Sequence, residues 1–242
     1  MLETKFRKRF TFFRNIKVKY LKLKSSIKYM RVLELFKGSG SIGKYFEPMP
    51  NVEVISLDIV EKYNPSICVD ILEWDYKQYP VGYFDMIWAS PECKVFSQLQ
   101  YGLLGRKGGF ENREKLVEAQ QEHSKFILKT IEIIKYFQPK TWFIENPMYS
   151  KIWDYIPTDL DYKNVDVSYC KFGFKYKQNT RIITNKKVLE NCLCKKKNGV
   201  FSCNSKAKHD TTIGHLGSQG QGLLERYSIP QKLFNYLFCE MC

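Results

Sequence analysis

Two short apolar runs, residues 84–88 and 141–144, stand on either side of one long helical pattern, residues 112–137. Within it Leu116, His123, Ile127, Ile131 and Ile134 recur at three- and four-residue spacing, and Pro139 stops the pattern. A helix of that length between two strands is a crossover, and crossovers join parallel strands. Residues 30–36 and 52–57 read as earlier strands, and 165–170 and 181–184 as later ones. Strands alternating with helices predict an α/β fold, a doubly wound, mostly parallel sheet covered on both faces. An amphipathic helix over 230–238 is expected to return to the sheet.

The chain has 242 residues, 44% of them apolar, enough for one sizeable α/β domain with a small appendage. No apolar run approaches the ~20 residues of a membrane span, and no signal-peptide pattern is visible, so a cytosolic or nuclear setting is expected. The net charge is +14, and residues 1–29 carry +9 of it: ten Lys or Arg against Glu3. A basic arm with interleaved Phe and Tyr suits a polyphosphate partner; a solvated tail, or a segment upstream of the true start at Met30, is the plainer reading. Eight scattered cysteines without a signal peptide favour metal or catalytic roles over disulfides.

Chemistry is expected at the strand ends, where open α/β sheets place it. The run 30–36 ends in Lys37-Gly38-Ser39-Gly40-Ser41-Ile42-Gly43, with the spacing G-x-G-x-x-G before a helix. Gly38 and Gly40 permit a tight turn and close backbone approach to a dinucleotide or a nucleoside cofactor. Asp58, ending the next strand, is the acid such folds use on ribose hydroxyls, and Asp70-Ile71 follows the next short run. The run 84–88 leads into Ala89-Ser90-Pro91-Glu92-Cys93-Lys94-Val95-Phe96-Ser97, a polar loop carrying a thiol. The run 141–144 ends in Glu145-Asn146-Pro147.

These motifs resemble the DNA cytosine-5 methyltransferases over residues 30 to about 185. Leu35-Phe36-x-Gly38-x-Gly40 is similar to the family's cofactor loop, and Pro91-Glu92-Cys93-Lys94-Val95-Phe96-Ser97 to its Pro-Pro-Cys-x-x-Phe-Ser loop. Glu145-Asn146-Pro147 matches its Glu-Asn-Val. The resemblance implies S-adenosylmethionine as cofactor, bound by Phe36, Gly38, Ser39, Gly40, Asp58, Ile59, Asp70, Ile71 and Pro91. It implies Cys93 as the thiol adding to carbon 6 of cytosine, Glu145 as the carboxyl on ring nitrogen 3 and the exocyclic amine, and Arg181 on the cytosine oxygen. Three departures stand out. Glu92 replaces the second proline, and its charge would push the Cys93 thiol up while Lys94 pulls it down. Arg181 fills one of three positions of the family's Gln-x-Arg-x-Arg, and Thr180 fits a looser Lys-x-Thr form. Arg226-Tyr227-Ser228-Ile229-Pro230 only loosely follows the closing Gly-Asn-x-Val-Pro.

The implied domains are a basic arm (1–29), a methyltransferase domain (30–189), a short Cys- and Lys-rich recognition segment (190–222) and a closing helix (223–242). In the recognition segment Cys192, Cys194, Cys203 and His209 are candidate zinc ligands, with Cys239-x-x-Cys242 as a rival pair. Lys195, Lys196, Lys197, Lys206 and Lys208 are available to phosphates. The expected activity is cytosine-5 methylation of DNA. The alternatives are a tRNA methyltransferase of the same fold and an inactive relative that binds nucleic acid.

Overall fold

A computed structural model describes residues 29–211 and 220–238. Seven strands form one sheet in the order β3-β2-β1-β4-β5-β7-β6. They are β1 (Met30–Leu35), β2 (Val52–Asp58), β3 (Ile67–Cys68), β4 (Met86–Ala89), β5 (Thr141–Pro147), β6 (Lys163–Ser168) and β7 (Asn179–Thr184). The first five pair in parallel, while β7 runs antiparallel to both β5 and β6. The predicted α/β sheet is therefore present. The carboxyl ends of β1, β2, β4 and β5 lie along one edge, and the glycine loop, Asp58, the Cys93 loop and Glu145 are found there.

Alternation along the strands divides the core between two faces. Leu33, Leu35, Ile87 and Ile144 pack with Ile127, Ile131, Ile134 and Phe137 of the long helix. Val32, Met86, Trp88, Phe143 and Ile182 face the other way, onto Ile42, Phe46, Phe234 and Phe238. The helices are α1 (Ser41–Phe46), α2 (Leu99–Gly102), α3 (Arg113–Phe137), α4 (Gly220–Arg226) and α5 (Gln231–Phe238). The crossover α3 starts where the sequence predicts: the Asn112 side chain accepts from the Lys115 amide at 2.9 Å, and Gln138 ends it in a left-handed cap. Phe238 of α5 stacks on Phe46 at 5.5 Å and meets Trp88 edge-on, which fixes the closing helix to the sheet.

One local element differs from the sequence reading. The run 165–170 does not continue as a strand to Cys170. β6 stops at Ser168, and Tyr169–Phe172 forms a 3-10 turn closed by Gly173 at φ 102. Residues 190–222 contain a small element of their own. β8 (Lys196–Lys197) and β9 (Val200–Phe201) form a hairpin around Asn198 and Gly199, both at positive φ. Asn-Gly between two strands is the signal for such a turn, and it was present in the sequence.

Candidate active site

The loop after β1 is bent by Phe36 (φ 59), Gly38 (φ 46) and Gly40 (φ 68), all in the left-handed region. For Phe36 that conformation costs about 1–2 kcal/mol, strain held at a loop rather than in the core. Its ring meets Phe126 of α3 edge-on at 6.5 Å. Asp58 is buried, and both its oxygens serve this edge: Oδ2 accepts from the Gly38 amide at 2.9 Å and Oδ1 from the Val60 amide at 2.8 Å. Each oxygen keeps a lone pair for another donor. Asp70 Oδ1 accepts from the Leu72 amide, Ile59 projects with 64% of its surface exposed, and Ile71 is buried in the core.

Sequence reasoning missed Glu34. It is buried behind the loop, and its Oε1 accepts from the Ile42 amide of α1 at 3.0 Å. Burial pushes its carboxyl up to about 7, against the pull of the Ile42 and Gly43 amides. The closing segment also reaches this loop. Ser39 donates to the Tyr227 carbonyl at 3.2 Å, Ser41 accepts from the Ile229 amide at 3.0 Å, and Gln231 donates to the Ser41 carbonyl at 3.1 Å. A loosely matched sequence motif thus has a defined place at the glycine loop.

Cys93 and Glu145 end adjacent strands, and Asn146 pins their loops by donating to the Pro91 carbonyl at 2.8 Å. Burial, then the Glu145 charge, push the Cys93 thiol up to about 11, and Glu92 adds least. The dominant effect is desolvation rather than the substituted proline position. Glu92 itself lies 3.3 Å from His123 Nδ1 of α3, and Lys94 is exposed. Tyr227 is half exposed, and its hydroxyl is pushed up by burial and then by Cys93.

Glu145 is buried, and burial raises its carboxyl above the usual carboxylate range, opposed by bonds from Thr180, Tyr169 and Ser90. The Tyr169 hydroxyl donates to Oε1 at 3.0 Å. The Thr180 hydroxyl makes a short bond to the same oxygen and sits 2.8 Å from the Asn146 carbonyl. That hydroxyl has one proton. It donates to Glu145 when the carboxyl is ionised. When Glu145 is protonated, the same proton can turn to the Asn146 carbonyl while Thr180 accepts. The pocket therefore satisfies both protonation states of the carboxyl.

Arg181 is not brought to Glu145. Register pairs Arg181 with Asn146, so its side chain leaves the sheet on the face opposite Glu145 and Thr180. There it makes a bidentate pair with Asp166, Nε at 2.8 Å and Nη2 at 2.9 Å. It lines a groove of about 310 Å³ with Gln98, Tyr149, Lys151 and Trp153. The residue of β7 that meets the Glu145 carboxyl is Thr180, and strand alternation keeps Arg181 on the other face.

The candidate metal set is corrected as well. Cys194, Cys203 and His209 converge, but the fourth group is Cys170, not Cys192. Cys192 bridges to Val167 at the sheet edge and packs against the core. Beside this cluster, Lys177, Lys196, Phe201, Lys208 and His209 line a basic groove of about 450 Å³. Cys239, Cys242 and residues 1–28 of the basic arm lie outside the described residues.

A mostly parallel sheet with a glycine loop, an acid, a thiol loop and a buried carboxyl at the carboxyl ends of β1, β2, β4 and β5 has the layout of an α/β enzyme with its site at the strand ends. No family model matches the chain. It is 30% identical over 226 residues to a Frog virus 3 (isolate Goorha) protein named "Probable DNA (cytosine-5)-methyltransferase", covering 88% of this chain and all of the viral one. The chain belongs to the DNA (cytosine-5)-methyltransferase family. Among solved structures it is similar to a DNA modification methyltransferase encoded within an E. coli prophage (TM-score 0.43, 15% identity) and to the S. pombe Dnmt2 methyltransferase (TM-score 0.44, 18% identity). Each match covers 64% of this chain and about half of the solved one, 46% and 49%. Among the described residues no helix is long and apolar enough to cross a membrane.

Proposed function

We propose that this chain methylates carbon 5 of cytosine in DNA, using S-adenosylmethionine and a covalent adduct through Cys93. The observation that carries this is the placing of the Cys93 loop beside the buried Glu145, with Asn146 donating to the Pro91 carbonyl at 2.8 Å. Carbon 5 of cytosine is a poor nucleophile, and adding a thiolate to carbon 6 makes it enamine-like. Glu145, held protonatable by burial, supplies the proton to ring nitrogen 3 as the thiolate adds. Its carboxyl also accepts from the exocyclic amine. After methylation a base removes the proton from carbon 5, and the Cys93 thiolate leaves.

The residues of the glycine loop fit the cofactor. A side chain on Gly38 or Gly40 would be strained at positive φ, and at Gly40 it would press the Lys37 side chain at 3.3 Å. Asp58 has acceptor capacity left for ribose hydroxyls, and Ile59 offers an exposed apolar surface beside it. S-adenosylmethionine, when bound, supplies the methyl group. Asp58→Ala is expected to weaken cofactor binding ~10- to 150-fold, the value of charge-assisted hydrogen bonds of about 1.5–3 kcal/mol. Calorimetric titration measures this, and an unchanged affinity removes Asp58 from the site.

The reading is tested by tritiated methyl transfer to DNA and, separately, to tRNA, followed by nucleoside identification. Labelled 5-methyldeoxycytidine is the expected product. Label in 5-methylcytidine of tRNA would move the substrate to RNA. No transfer to either, with the cofactor bound, would make the chain an inactive binding relative.

A further inference from the structure

We propose that Cys170, Cys194, Cys203 and His209 form a structural zinc site that fastens the Lys-rich hairpin to the catalytic sheet. The four donor atoms lie within 4.8 Å of one another. Cys203 Sγ is 3.3 Å and Cys194 Sγ 3.8 Å from His209 Nε2. A tetrahedral zinc with Zn–S of ~2.3 Å and Zn–N of ~2.0–2.1 Å has S···N edges of about 3.6 Å, between those two values. Three thiols and an imidazole are a soft donor set of the kind closed structural zinc sites use. Cys170 and Cys194 are buried, and the His209 ring packs on Phe201 at 4.2 Å between centroids.

The segment needs such a fastening. Residues 195–210 are mostly exposed and cannot build a core of their own. Among the hydrogen bonds that tie it to the rest of the chain are the Cys194 amide to Ser168 Oγ at 2.9 Å, Lys171 Nζ to the Ser202 carbonyl at 3.3 Å, and the Thr211 amide to the Lys175 carbonyl at 3.2 Å. The ligands come from three places along the chain: the turn after β6, the entry to the hairpin, and the loop beyond it. A metal joining them closes those loops and supplies folding free energy to the segment. Two consequences reach the rest of the molecule. Cys170 is the neighbour of Tyr169, whose hydroxyl donates to Glu145, so the site also holds the turn that positions the carboxyl. His209 and Phe201 line the basic groove with Lys177, Lys196 and Lys208, so the groove exists only with the hairpin in place.

The test is metal content of the full-length protein purified under reducing conditions, together with cobalt(II) exchange followed by thiolate-to-metal absorption. One zinc per chain is expected. Cys203→Ser and His209→Ala, both at partly exposed positions, should each weaken zinc binding by more than ~100-fold, since even groups that only orient a metal ligand are worth 10–100-fold. Cys170→Ser should do the same, and Cys192→Ser should retain the metal. Circular dichroism and melting of each variant separate loss of the site from loss of the fold: Cys203→Ser should keep the sheet while losing zinc. Protein that contains no zinc and develops no cobbalt–thiolate absorption would overturn the site. So would a Cys192→Ser protein that loses metal while Cys170→Ser keeps it.

Discussion

Replacing Cys93 by alanine is expected to reduce methyl transfer by more than ~10⁴-fold, the scale on which a covalent nucleophile acts. S-adenosylmethionine binding should be unchanged, because the thiol and the glycine loop follow different strands. DNA carrying 5-fluorocytosine should trap a stable adduct at Cys93, since fluorine at carbon 5 cannot leave as a proton does. Denaturing gels and peptide mass spectrometry read both results. Wild-type protein that methylates normally yet never forms the adduct would refute covalent catalysis. With its thiol pushed up to about 11, free Cys93 is thiolate in roughly one molecule in three thousand at pH 7.5. Addition must therefore draw on proton transfer within the site, which leads to Glu145.

Glu145→Gln is expected to lower kcat ~10²- to 10⁴-fold, the usual contribution of a positioned general acid. Its signature is the pH profile. The reactive pair is a Cys93 thiolate with a protonated Glu145, and it carries the same number of protons as thiol plus carboxylate. Wild-type kcat/KM should therefore rise with pH through the raised Glu145 value, level off, and fall above about 11 as both groups ionise. In the glutamine variant only the thiolate is required, so the rate should climb about tenfold per pH unit across the neutral range with no plateau. The Glu145 charge holds the thiol up, so removing it lowers the Cys93 pKa, and iodoacetamide should modify Cys93 faster in the variant. A variant with the wild-type profile and unchanged alkylation rate would detach Glu145 from the thiol.

The sequence by itself determined the sheet, the crossover helix and the strand ends that bear chemistry. These depend on period-two and period-3.6 apolar patterns and on local signals such as Asn112 and Pro139, which act over a few residues. Family membership was legible for the same reason, since the glycine, cysteine and glutamate loops are each contiguous. Only the tertiary structure decided which side chains meet across strands. Thr180 rather than Arg181 reaches Glu145 because the register of β7 against β5 sets which of two neighbours faces the buried carboxyl, and a one-residue shift reverses the answer. Cys170 rather than Cys192 joins the Cys/His cluster because the chain leaves β6 at Ser168, turning a residue that reads as strand toward the hairpin. The pull on Cys93 was legible only as the neighbouring Glu92. Its main cause is burial, a property of everything packed around the loop, which no short window of sequence contains.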